Sequence, residues 1–251
     1  MNTYLFSGEE YDLQLQGFKE DLRFYLSEIK KSKRTLDIAC GTGRIMIPAL
    51  KARANIDGLD NSPSMLKTLQ RKAKAAGLKP KTYLADMRNF DLNKKFDLII
   101  IPCRSFLHLL NAKEQKSALL SIHKHLTNKG RLILNFFNPD YNRMANFNGK
   151  KEFHSYVKDP VTKNKVKISA INHFYSADQI LKITYIHEEL DKHNLLVEKK
   201  EFKMMMRYIF RFEFEHLLAL TGFKPLKLYG DFKRSNFTDK SREMVWVCQK
   251  V

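Results

Sequence analysis

Three aspartates and two glycines carry the spacing in this chain that could do chemistry. In RTLDIACGTGR (34–44), Asp37 stands just before a turn that contains Gly41 and Gly43. Small residues keep such a turn open, so backbone N–H groups at the start of the next helix can meet a polar or anionic ligand directly. Asp60 closes NIDGLD (55–60) and Asp86 closes KTYLAD (81–86). Each carboxylate alone is an ordinary cap or turn residue. Three of them at successive strand ends, after a glycine turn, place acceptors in the crevice where open α/β sheets bind ligands. The dinucleotide fingerprint G-x-G-x-x-G requires a third glycine to seat helix against strand. That position is Met46, which argues against a nicotinamide dinucleotide.

These residues need elements to hold them. Apolar positions Leu15, Phe18, Leu22, Tyr25, Leu26 and Ile29 predict an amphipathic helix over 13–29. Thr35–Ile38 reads as a buried strand, with a helix over 44–53 after the glycine turn. Ser62 and Pro63 form an N-cap and first turn, and Gly77 ends the helix they open. FDLIII (96–101) is continuously apolar, as a central parallel strand should be. A helix over 113–126 and a strand over 131–137 follow. Strands alternating with helices predict a parallel sheet covered on both faces. From 151 to 208 the pattern changes to β-type runs, KVKISAINHFY, QILKITYIHEEL and LVEKKEFKMMMRYIF, which read as an inserted antiparallel sheet. A helix over 211–221 and strands near 224–230 and 244–249 close the main sheet.

With 251 residues and 43% hydrophobic content, the chain has enough material for a full core. No apolar run approaches the length that spans a bilayer, and MNTYLFSGEE lacks the pattern of a signal peptide. Cys40, Cys103 and Cys248 are too few and too scattered for a disulfide or zinc framework, so a cytoplasmic location is expected and no metal. The net charge is +18, divided nearly evenly between residues 1–140 and 141–251, so no basic tail accounts for it. A solvated basic surface is the simplest reading; nucleic acid or an acidic membrane would also be attracted by such a field.

The motifs, taken together, carry a resemblance. EDLRFYL, LDIACGTGRIMIP, IDGLDNSPSML, LADMRNF, FDLIIIPCRSFLHLL and LTNKGRLILNFFNP, from about residue 20 to 139, resemble class I S-adenosylmethionine-dependent methyltransferases of the small-molecule type. HLLALTGFKPLKLYGDF is similar to that family's closing helix and strand. One departure is Ala39, where the family usually has glycine. The resemblance implies a Rossmann-like, doubly wound α/β fold with a mostly parallel seven-stranded sheet and an antiparallel β lid inserted after the fifth strand. It implies a methyltransferase domain over 1–150 and 209–251 and a substrate lid over 151–208.

The implied cofactor is S-adenosyl-L-methionine. Its site would comprise Tyr11, Asp37, Ala39, Cys40, Gly41, Gly43, Asp60, Asn61, Met65, Asp86, Met87 and Pro102. Asp60 would accept the ribose hydroxyls and Asp86 the adenine amine, with the Met87 N–H on a ring nitrogen. Tyr4 and Tyr11 lie in the segment that folds over the cofactor in the family. His108, in SFLHLL just past the fourth strand, is the candidate base; local packing is its other reading. The acceptor would be a small molecule methylated on nitrogen or oxygen rather than carbon, by a monomer or homodimer. Arg207, Tyr208 and Arg211 stand where the insert rejoins the domain and could reach an anionic acceptor.

Two other readings compete. Pro102-Cys103 is similar to the Pro-Cys of cytosine carbon-5 methyltransferases, where the thiolate attacks the base. The rest of that pattern is missing, so a nucleic-acid acceptor is not favoured. A cofactor-binding module without turnover is the reading from another class.

Overall fold

The computed structural model describes residues 6–251; Tyr4 lies outside the described residues. The chain divides into two compact units, one of residues 19–138 with Ile209–Val251 and one of residues 6–18 with Pro139–Tyr208.

The larger unit is a seven-stranded sheet. Its parallel strands are β1 (Thr35–Ile38), β2 (Ile56–Asp60), β3 (Lys81–Leu84), β4 (Phe96–Ile101) and β5 (Leu126–Phe137). The last two are β6 (Phe223–Tyr229) and β7 (Glu243–Lys250), and the spatial order is β6-β7-β5-β4-β1-β2-β3. Only β7 runs against its neighbours. Order reverses beside β1, which puts the ligand crevice at the carboxyl ends of β1 and β4. This is the expected Rossmann-like α/β sheet.

Helices α2 (Leu22–Ile29), α3 (Met46–Lys51), α4 (Pro63–Ala75), α5 (Ala112–His125) and α7 (Arg211–Leu220) belong to this unit. Phe24, Tyr25 and Ile29 of α2 pack with Met46, Leu98, Ile133 and Val245. Glu28 of the same helix is buried and takes Lys31, Arg131 and Arg234, each at 2.7 Å. Burial raises its carboxyl, but the three cations outweigh that and hold it at about 2.

The expected helix over 13–29 is in fact two. Helix α1 (Gly8–Gln14) is separated from α2 by a turn in which Gly17 has φ +83°. Of the spaced apolar positions, Leu15 and Phe18 fall in the stretch between the helices, and Leu22, Tyr25, Leu26 and Ile29 lie in α2.

The smaller unit is an antiparallel sheet of β8 (Lys151–Lys158), β9 (Lys165–Tyr175), β10 (Ile180–Leu190) and β11 (Leu196–Arg207), paired in that order. Strand β8 was missing from the sequence reading. Its exposed pattern, with only Val157 buried, is that of an edge strand and lacks the alternation that marks the other three. Helix α6 (Tyr141–Phe147) precedes it. Residues 6–18 and 139–150, assigned from sequence to the larger domain, pack in this unit instead. Phe6 stacks on Phe202 with ring centroids 4.4 Å apart, and Leu13 packs on Val157, Val166 and Ile168. Gln16 exchanges two hydrogen bonds of 2.9 Å with the Lys158 backbone. The reason is apolar cover, since α1 supplies side chains that this small sheet needs on one face.

Candidate active site

The glycine turn is built from left-handed backbone. After β1, Ala39, Gly41 and Gly43 have φ of 55°, 53° and 84°. A non-glycine residue in that region costs about 1–2 kcal/mol, so Ala39 carries strain that the family's usual glycine would not. The turn is tied to β2 by the Cys40 N–H donating to the Leu59 carbonyl at 3.0 Å. A Cβ at Gly43 would lie 3.0 Å from Ile47 Cδ1 and Leu69 Cγ, so α3 and α4 approach the turn too closely for a side chain.

Met46 explains why the third glycine is dispensable. Its sulfur would sit 2.8 Å from a Cβ at Gly58, and Met46 is fully buried. The close approach of helix to strand is made by a glycine on β2 rather than on α3.

Asp60 is buried at the end of β2. Its Oδ2 accepts the Gly41 N–H and its Oδ1 the Ser62 N–H, both at 2.8 Å. Burial raises its carboxyl pKa, against which the Ser62, Gly41 and Asn61 N–H groups pull down. Three N–H donors on about four lone-pair directions leave room for a further donor. Asn61 is exposed beyond the strand, and Met65 is buried in the first turns of α4 under the Ser62 cap.

Asp37 differs. It is 1% exposed, its Oδ1 has no hydrogen-bond partner, and burial pushes its pKa up to about 8. Arg44 opposes that rise, but its guanidinium holds both Asp21 oxygens at 2.6 Å. An unpaired carboxyl oxygen at the foot of a glycine turn is where a cationic group of a ligand would be stabilised.

Asp86 lies two residues beyond β3, not at its last position as expected. The Arg88 N–H and guanidinium occupy its carboxylate, and the same guanidinium reaches Glu114 at 2.6 Å. Burial raises its pKa, and the Arg88 contacts outweigh that and lower it. Met87, between them, is half-buried.

After β4, Pro102 is buried, and Cys103 and Arg104 follow with φ of 57° and 62°. Pro102 O accepts the Ser105 N–H at 3.1 Å and hydroxyl at 2.8 Å, opening a 3-10 turn over Ser105–His108. His108 ends that turn, half-buried. A network that the sequence did not reveal braces this corner. The Tyr25 hydroxyl donates to Asn135 Oδ1 at 3.0 Å, and Asn135 Nδ2 donates to Glu243 Oε2 at 2.9 Å. Arg104 pairs with Glu243 and lies over the Phe137 ring. The one signal was Asn135, a polar residue inside the apolar run RLILNFF.

The structure thus brings Asp37, Ala39, Cys40, Gly41, Gly43 and Asp60 together around one turn. Tyr11 lies in α1, in the smaller unit. His187 and Tyr185 face the covered side of that unit's sheet, where His187 Nε2 meets Gln14 Oε1 at 2.7 Å. Arg207 is engaged by Gln179, Tyr208 is buried, and Arg211 pairs with Glu215. A cavity of about 590 Å³ opens under the β6–β7 loop, lined by Glu20, Asp231, Phe232, Asn236, Arg242 and Glu243. Among the described residues no group of His, Cys, Asp and Glu is arranged for a metal ion, and no helix is long and apolar enough to cross a membrane.

A family model described as "Methyltransferase domain" matches residues 35–130, from β1 to the bend in β5. A glycine/sarcosine N-methyltransferase of Halorhodospira halochloris is 32% identical over 126 residues, covering 49% of this chain and 47% of that protein. One from Aphanothece halophytica is 25% identical over 231 residues, covering 90% of this chain and 80% of that one. The chain therefore spans about half the length of the first of these relatives and most of the second. The structure of an S-adenosylmethionine-dependent methyltransferase from Clostridium acetobutylicum has a TM-score of 0.79 at 18% identity, covering 96% of each chain, which is a likeness of fold. Residues 35–130 thus match a methyltransferase domain, and the whole chain has the Rossmann-like fold of a solved S-adenosylmethionine-dependent methyltransferase.

Proposed function

We propose that this protein transfers a methyl group from S-adenosylmethionine to the nitrogen of a small-molecule amine. The observation that carries the reading is the buried, unpaired Asp37 oxygen beneath the glycine turn, one strand away from Asp60. That pair fits a ligand with a cationic group on one side and ribose hydroxyls on the other. S-adenosylmethionine supplies a methyl group already activated by its sulfonium, so the reaction is an in-line displacement.

The protein's part is to bind, align and exclude water. Asp60 would hold the ribose, Asp86 and the Met87 N–H the adenine, and the turn from Ala39 to Gly43 the amino-acid portion, with Asn61, Met65 and Pro102 along its sides. The acceptor amine must lose a proton, and His108 is the proposed base. An amine is favoured over other acceptors because both relatives named above are N-methyltransferases of glycine and sarcosine. The smaller unit is proposed as the substrate lid. It is inserted directly after β5, whose carboxyl end lies on the crevice side of the sheet. A reducing, cytoplasmic setting is consistent with three free cysteines.

The test is methyl transfer from radiolabelled donor to a panel of glycine, sarcosine, other amino acids and amino sugars, with RNA and DNA alongside. Label on an amine and none on nucleic acid is expected. Label on nucleic acid alone, lost in Cys103→Ser, would replace this reading with a base methyltransferase.

A further inference from the structure

The positive charge of the larger unit is polarised across its sheet. The segments that enter the parallel strands all lie at the amino edge, and they read KKSKR (30–34), KARAN (51–55), KPK (79–81), NKK (93–95) and TNKGR (127–131). β7 runs the other way and ends there on Lys250, with Gln249 opposite Arg131. The helices run antiparallel to the strands, so compensation of their dipoles accounts for about one cation at each helix end. These segments carry more than that.

At the opposite, carboxyl edge, the arginines are matched. Arg44 has Asp21, Arg88 has Asp86 and Glu114, and Arg104 has Glu243. At the amino edge Lys33, Arg34, Lys51, Arg53, Lys79 and Lys129 are exposed, and none makes an ion pair among the described residues. Of the few carboxylates nearby, Glu28 is claimed by three cations, Asp57 by Lys94 and Asp91 by Lys124, and Asp97 accepts the Arg34 N–H and the Thr127 hydroxyl. The uncompensated field acts on the lysines themselves. Lys94 holds the Lys81 ammonium below its usual range, and Lys250 is lowered by burial and by Lys95.

We propose that the amino edge of the seven-stranded sheet is a docking surface for the phosphate backbone of double-stranded nucleic acid, separate from the candidate active site. At about 4.8 Å per strand, the six strands from β7 to β3 set the cations along about 24 Å, or about seven base pairs of duplex rise. The five segments expose no large hydrophobic side chain. These segments hold no apolar anchor for a bilayer and no aromatic platform on which single-stranded bases stack, and the exposed Leu220 and Val251 at the β6–β7 end of the edge are isolated aliphatic side chains. Binding is therefore to duplex, driven by counterion release and indifferent to sequence. The inference does not depend on the identity of the methyl acceptor, because none of these residues belongs to the proposed donor site.

The test is fluorescence anisotropy of the full chain with two unrelated labelled DNA duplexes of about 24 base pairs, outspanning the edge, between about 50 and 200 mM salt. Both duplexes should bind equally, and affinity should fall by about a thousandfold across that range. The variant K33E/K51E/K79E/K129E should lose at least about tenfold at low salt and flatten the salt slope by up to about four. The neutral set K33Q/K51Q/K79Q/K129Q, which adds no repulsion, guards against misfolding of the first and should show the same direction. A control with equal charge reversal on the smaller unit, K163E/K182E/K192E/K203E, should bind nearly as the parent does. Equal loss in the control would overturn the assignment to this edge. Absence of duplex binding at the lowest salt would overturn it, and so would binding to phosphatidylserine vesicles but not to duplex. Donor affinity should be unchanged in both edge variants, which keeps this outcome distinct from a failure of the methyltransferase reading.

Discussion

The Gly41 N–H donates to Asp60 Oδ2 at 2.8 Å, so the carboxylate that ends β2 also fixes the turn that follows β1. Its other oxygen starts α4 through the Ser62 N–H. Asp60→Ala therefore removes both the proposed ribose acceptor and a brace of the turn. Donor binding should weaken by about 2–4 kcal/mol, the worth of charge-assisted bonds to two hydroxyls, while circular dichroism remains that of the parent. Calorimetry on the folded variant showing parental affinity would move the ribose elsewhere.

Asp37 gives the donor site a pH dependence whose sign follows from its burial. With the carboxyl pushed up to about 8, it is mostly protonated at pH 7 in the absence of ligand. A cation arriving beside it favours the carboxylate and lowers that pKa, so binding at pH 7 releases up to about one proton. Affinity should rise with pH up to about 8 and then level off. Calorimetry in buffers of different ionisation heat reads the proton directly, and Asp37→Asn should abolish the release. The folded pKa lies above the unfolded one, so this group's contribution to stability is largest at low pH and declines as pH rises toward 8. Asp37→Asn should consequently raise the melting temperature of the ligand-free protein at pH 8 even as it weakens binding.

The contact between Met46 and Gly58 predicts an asymmetric pair of substitutions. Gly58→Ala drives a methyl to within 2.8 Å of the Met46 sulfur and 2.9 Å of the Cys40 sulfur, and should cost about 1–3 kcal/mol in denaturant unfolding. Met46→Ala made in that background should recover part of the loss, because it vacates the space the new methyl needs. Additive destabilisation in the double variant would show that the two residues do not share that volume.

The Cys103–Arg104 corner is held against its own backbone preference. Two successive left-handed residues cost about 1–2 kcal/mol each, and Glu243 clamps the second through its guanidinium. If this corner presents the acceptor, Glu243→Gln should lower kcat about tenfold with donor affinity unchanged. Cys103→Gly, which adopts that φ without strain, should restore part of the loss. An unaltered kcat in Glu243→Gln would remove the corner from the acceptor site.

The centre of the main sheet was legible because its strands are buried on both faces, so FDLIII reads as an almost continuous apolar run, while TLDI, with Thr35 and Asp37 in it, was marked by the glycine turn that follows. The glycine turn and the carboxylates at or just past strand ends were legible because chemistry fixes their spacing. Strand β8 was not, since an edge strand exposes most of its side chains and loses the period of two. The membership of α1 in the smaller unit was also invisible. It rests on contacts such as Phe6 with Phe202, which no local pattern encodes. The bracing network of Tyr25, Asn135, Arg104 and Glu243 joins four separate segments, and only Asn135 stood out from its surroundings.

The stacking of Phe6 on Phe202 also fixes an order of events during synthesis. The segment around Phe6 leaves the ribosome well before the strands it covers, which are translated only after the first five strands of the larger unit. At ordinary rates of translation the delay is on the order of ten seconds or more. Through that interval Phe6 and Leu13 have no native partner, while β1 to β5 can already begin to collapse around their own short-range contacts. These early residues are thus among the last to find their place, through a nonlocal, slow-closing contact of the same kind as Arg234 with Glu28 in the larger unit.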